Sequence, residues 1–122
     1  MPFMNNILKS INKIPGVQGT LIINAEGLLV AADIAAGGDA NALAAVVSRI
    51  INALASALDR LQVGALERFV VNGEHGSMVL QTVGQTILLT LVDRDANMGM
   101  VLVELRNAAA ALTAALSGQQ AK

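Results

Sequence analysis

What constrains this chain most is the order in which its apolar periodicity changes. A helical period gives way to a strand period, returns over a long stretch, yields three further strand-like runs and ends helical. The order is therefore helix, hairpin, helix, three-stranded meander, helix. In the first segment Met4, Ile7, Leu8, Ile11 and Ile14 fall at helical spacing, with Lys9, Asn12 and Lys13 on the other side. Pro15-Gly16 then ends the helix. Residues 17–24 and 28–33 form two strands around Asn24-Ala25-Glu26-Gly27, with Gly27 supplying a positive φ. Val17, Gly19, Leu21 and Ile23 are expected on one face, and the small residues Gly19, Ala31 and Ala32 let a helix approach the sheet.

Residues 35–39 make a flexible connection, and either Asp39 or Asn41 caps the helix that follows. Leu43, Val47, Ile50, Leu54, Leu58 and Leu61 recur every three or four residues and give that helix one wide apolar stripe. Its opposite side carries Ala45, Ser48, Arg49, Asn52, Ser56 and Arg60. Small side chains there permit a second backbone to come close, which makes the face a candidate interface. The segments 65–72, 77–83 and 86–93 are strand-like and separated by Gly73-Glu74-His75-Gly76 and Gly84-Gln85, so neighbours run antiparallel. The first of the three is the most polar and suits a sheet edge, whereas 87–92 suits the centre. A last helix starts after Asn97 as its cap and buries Val101, Leu102, Leu105, Ala109, Leu112 and Leu116. The expected architecture is α+β: one domain over residues 1–122, with a core of about 4–116 and a flexible tail at 117–122.

With 54% hydrophobic and 14% charged residues the chain is far from the disordered class, and its surplus of apolar surface has two readings, self-association or simply the abundance of Ala in its helices. No uninterrupted apolar run reaches the roughly 18 residues of a membrane span, and Glu104 and Arg106 break the most hydrophobic helix. A membrane-spanning segment is not expected. The N-terminal residues lack a secretory signal, so the expected location is cytoplasmic. The absence of cysteine excludes disulfides, thiolate nucleophiles and cysteine-bound zinc. A net charge of −1, with no Trp or Tyr and only Phe3 and Phe69 as aromatic residues, disfavours nucleic acid as a partner.

Chemistry has few candidates. His75, the one histidine, sits in a glycine-flanked turn and reads as solvated rather than catalytic. Asp33, Asp39, Glu74, Asp93 and Asp95 fall at strand ends and turns, where caps and solvation explain them better than a shared cation. Gly37-Gly38 lacks the ending of a P-loop, and Gly73 to Gly76 joins two strands instead of opening a helix. Met98 and Met100 read as fillers of core gaps. No catalytic residue, metal ligand or cofactor is expected, and function is sought on surfaces.

Two stretches carry a resemblance. They are the Gly16 to Ala31 hairpin and Leu88-Leu89-Thr90-Leu91-Val92-Asp93-Arg94-Asp95-Ala96-Asn97-Met98-Gly99, in which an apolar strand leads to Asn-x-Gly at a helix start. From about Met4 to Leu116 the chain resembles the Roadblock/dynein light chain family, especially its small bacterial MglB-like regulators of Ras-like GTPases. The resemblance implies a longin-like (profilin-like) five-stranded sheet of order 2-1-5-4-3, with the long helix on one face and both terminal helices on the other. It implies a homodimer joined through the long helices and the third strand, which matches the small-residue face and the polar edge. Ala45, Arg49, Asn52, Ser56, Arg68 and Val70 are the candidate dimer residues. It further implies one GTPase bound per dimer and hydrolysis stimulated without an inserted arginine finger. Arg49 and Arg60 are the candidate partner contacts. The alternative function is a passive dimeric scaffold or localisation subunit of a motility, motor or signalling assembly.

Overall fold

The computed structural model describes the backbone over residues 2–34 and 38–120 and the side chains over 4–34 and 38–115. Of the expected flexible link at 35–39, residues 35–37 fall outside the described residues, as do the side chains of the expected tail. The elements are α1 (Pro2–Asn12), β1 (Val17–Asn24), β2 (Leu29–Ile34), α2 (Ala40–Arg60), β3 (Arg68–Asn72), β4 (Gly76–Val83), β5 (Thr86–Asp93) and α3 (Met98–Gln120). They form one antiparallel sheet of order β2-β1-β5-β4-β3. The most apolar strand, β5, is central and the most polar, β3, is an edge, as the sequence predicts.

Strand alternation divides the core in two. Ile22, Leu88, Val92, Val79 and Val83 face α1 and α3, meeting Leu8, Ile11, Val101, Leu105 and Leu112. Leu21, Ile23, Leu89, Ile87 and Leu80 face Ala44 and Val47 of α2. The long helix and the terminal helices thus lie on opposite faces.

Local signals hold each element in place. The Asp39 carboxylate accepts the Ala42 N–H at 3.1 Å and caps α2, which resolves the choice between Asp39 and Asn41. The Asn97 side chain accepts the Met100 N–H at 3.2 Å at the start of α3. In the hairpin the Asn24 side chain accepts the N–H groups of Glu26 and Leu28, and Gly27 takes φ +84° beside Ser48 of α2. Gly16 takes φ +93° where α1 hands over to β1, and its carbonyl accepts the Asp93 N–H at 2.6 Å.

Four expectations change. Val17 packs with the α1/α3 core instead of sharing a face with Leu21, because the β1–β5 register shifts between Val17 and Gly19. One extra residue in β1 reverses the alternation. The strand expected over 65–72 begins only at Arg68, since Gln62 with φ 58° and Gly64 with φ +107° keep the preceding chain in a turn. The inward stripe of α2 is Ala40, Leu43, Ala44, Val47 and Ile51, and Leu61 is exposed beyond the helix end. Helix α3 runs on to Gln120, past its expected end near Leu116.

The membrane expectation also shifts. By length and composition alone, Ala40–Arg60 and Met98–Ala115 are both apolar enough to cross a bilayer, because Ala, Val, Ile and Leu dilute their few charges. Both helices nevertheless pack on the sheet through named core residues.

Candidate interaction surfaces

The described residues offer surfaces more readily than a reaction centre. No group of three His, Asp or Glu side chains among them could hold a metal ion. His75 lies 4.0 Å from the Glu74 carboxylate, with both side chains over four-fifths exposed, so the pair is solvated and contributes little. Met98 is half-buried against the α1/α3 core as expected, whereas Met100 is 52% exposed and fills no gap.

Successive residues of a helix are rotated by about 100°, so burial of Ala44 and Val47 fixes the orientation of α2. Ala45, Arg49, Asn52 and Ser56 are all exposed on its outer side, away from the sheet, together with Arg60. On one flank Ser48 lies against Gly27, and further along Ala55 and Asp59 line a cavity of about 800 Å³ with Gln62, Gly64, Ala65 and Leu66. This cavity places that flank beside the connection leading into β3. On the other flank Val46 is 52% exposed and Ile50 is half-buried.

Among the described residues strand β3 pairs on one side only, with β4, so its other side is a free edge. Arg68 and Val70 stand opposite Gln81 and Val79, which places both on the α1/α3 face of the sheet. The Arg68 Nε–H donates to the Gln81 side chain at 2.8 Å. Phe69 and Val71 alternate onto the α2 face, with Phe69 half-buried and Val71 exposed. The six candidate dimer residues therefore fall into two groups. Ala45, Arg49, Asn52 and Ser56 lie over one face of the sheet and Arg68 and Val70 on the other, and the free edge of β3 connects them. Val46, Val71, Met100 and Val103 are further exposed apolar residues, which the sequence does not mark as outward.

These features define a three-layer α+β domain with an open edge strand and a long helix whose outer face is uncovered. The family model of the Roadblock/LC7 domain matches residues 4–93, and the chain belongs to that family. Two uncharacterized proteins of Methanocaldococcus jannaschii, MJ0310 and MJ1340, are each 27% identical to it over 106 residues, covering 87% of this chain and 93% of theirs. Among solved structures, Myxococcus xanthus MglB has a TM-score of 0.92 at 16% identity, covering 96% of this chain and 90% of its own. The gliding protein MglB from Thermus thermophilus has a TM-score of 0.81 at 20% identity, covering 92% of this chain and 87% of its own. At such identities the likeness is one of fold.

Proposed function

We propose that the chain is a non-enzymatic, homodimeric regulator of a Ras-like small GTPase, stimulating GTP hydrolysis as a GTPase-activating protein in the cytoplasm. The observation that carries the proposal is the combination of a free β3 edge with the exposed, small-residue outer face of α2 in a Roadblock/LC7 domain. The likeness in fold to MglB supports it, since the sequence resembles the MglB-like regulators of such GTPases. A two-fold partner joined through β3 satisfies the unpaired backbone groups of that edge and brings Arg68 and Val70 into the contact on one sheet face. On the other face Ala45, Arg49, Asn52 and Ser56 meet the partner's long helix.

Arg49 and Arg60 both stand on the outer side of α2, about 16 Å apart along its axis. They are the proposed contacts to the GTPase, Arg60 beyond the end of the dimer contact and Arg49 within it, where it touches both partners. The nucleotide belongs to the GTPase, and this chain contributes shape and charge.

Replacing Ala45 by Glu tests the helix contact. The variant halves the native mass measured by light scattering at low micromolar concentration while leaving the thermal transition of the single chain cooperative. An unchanged mass refutes this placement of the dimer. Arg49→Ala and Arg60→Ala together weaken binding of the GTPase by about tenfold or more if both contacts are desolvated. Equal binding by wild type and double variant removes them from the partner site.

A further inference from the structure

We propose that α3 carries a second, self-complementary interface, through which two copies of the chain pair their last helices antiparallel about Asn107. Helix α3 is apolar enough to span a membrane, yet only 22% of Met98–Ala115 is buried in the domain. A helix apolar around most of its circumference requires a cover. Met100, Val103, Asn107, Ala110, Ala111 and Ala114 are exposed or half-buried and fall along one outward strip, with Met100 at 52% and Val103 at 58% exposure. This strip lies beyond the last residue matched by the Roadblock/LC7 family model, so nothing in that match assigns it a role.

The choice of a second copy rests on size and charge. The large residues of the strip are all in its N-terminal half and the small ones in its C-terminal half. A two-fold axis at Asn107 places Met100 against the other copy's Ala114 and Val103 against its Ala111. Beside Met100 and Val103, a cavity of about 550 Å³ lined also by Ile14, Asn97, Gly99 and Glu104 leaves room for the incoming small-residue half. Helix α3 has no acidic residue in its first turn and no basic one in its last, so its macrodipole draws no compensation from charges within those turns. Antiparallel pairing sets each positive end beside a negative one. Residues 107–120 carry no charge, and Glu104 is displaced from its twin by six residues; Arg106 is displaced from its twin by only two, about 3 Å along the axis, so the two guanidiniums share one flank of the contact and must splay outward into solvent. A lipid surface fits less well, because surface-lying helices bring rows of Lys and Arg, and here Glu104 offsets Arg106.

The chain has no cysteine, so disulfide trapping reports on any introduced pair without background. Under mild oxidation of the full-length protein, Asn107→Cys forms a covalent dimer about tenfold or more faster than Thr113→Cys, whose twin stands about 18 Å away along the axis. Adding Val103→Glu to Asn107→Cys removes that advantage without changing the melting temperature, since residue 103 is exposed. The link persists in an Ala45→Glu background, because α2 and α3 lie on opposite faces of the sheet. Loss of the link on adding Ala45→Glu assigns it to the dimer proposed above and overturns this inference. Equal trapping of the Asn107→Cys and Thr113→Cys variants overturns it as well, as does capture of the Asn107→Cys variant only on anionic vesicles.

Discussion

Thr20 and Thr90 stand opposite each other across the β1–β5 ladder, both fully buried, but their hydroxyls meet different surroundings. The Thr20 hydroxyl donates to the Asn12 side-chain carbonyl at 2.8 Å, and the Asn12 amide donates to the Asp33 carbonyl at 2.8 Å. One short chain of hydrogen bonds thus ties α1 to β1 and β2. The Thr90 hydroxyl has no partner among the described residues. Replacement by Val therefore has opposite signs at the two sites. Thr20→Val lowers unfolding stability by about 1–2 kcal/mol, because Asn12 loses its donor. Thr90→Val raises it by about 1 kcal/mol, because an unmet polar group is removed at nearly constant volume. Urea unfolding of both variants checks the pair, and stabilisation at both sites contradicts the hydrogen-bonded link. Gly16 poses a different constraint. At φ +93° an added Cβ would collide with Ala96, just ahead of α3. Gly16→Ala is expected to cost about 2–3 kcal/mol, combining left-handed strain with overpacking, and the same unfolding curves measure it.

Among the elements, helix caps make the clearest case. Asp39→Ala leaves the Ala42 N–H without its acceptor and is expected to cost about 1 kcal/mol, visible as a lower urea midpoint at unchanged slope. Element order and type were legible because each segment has one dominant period: Met4 to Ile11 repeats at helical spacing, and β5 is too apolar for an edge. What was hidden depended on contacts remote in sequence. The bulge that turns Val17 over appears only when β1 is set against β5. The apolar residues of α2 formed a stripe too wide to divide by periodicity alone, and burial of Ala44 against the sheet is what divides it. For the same reason the interaction residues were only partly legible. The sequence marks Ala45, Asn52 and Ser56 as small and outward, but the alternation of β3 places Arg68 and Val70 on the far face of the sheet. Met100 and Val103 were missed because a long apolar helix has several stripes, and only the fold selects which one stays uncovered.

Taken whole, the described residues form two buried layers about one sheet, with edge strands β2 and β3 and two long helices with exposed outer faces. Under the proposed function such a body would act on its GTPase by shaping it, with the GTPase's own nucleotide chemistry supplying the reaction. The rate effect is then expected to fall short of that from an inserted arginine. A stimulation of about ten- to a hundredfold is expected, against the ~10³ or more that an arginine finger contributes. The most direct measurement is single-turnover GTP hydrolysis by a Ras-like GTPase of the same organism, titrated with this protein. The account predicts a rate that rises and saturates at two chains per GTPase, with Ala45→Glu shifting saturation to higher concentration. A rate that stays flat across the titration, while the GTPase binds normally, contradicts it and identifies a passive scaffold.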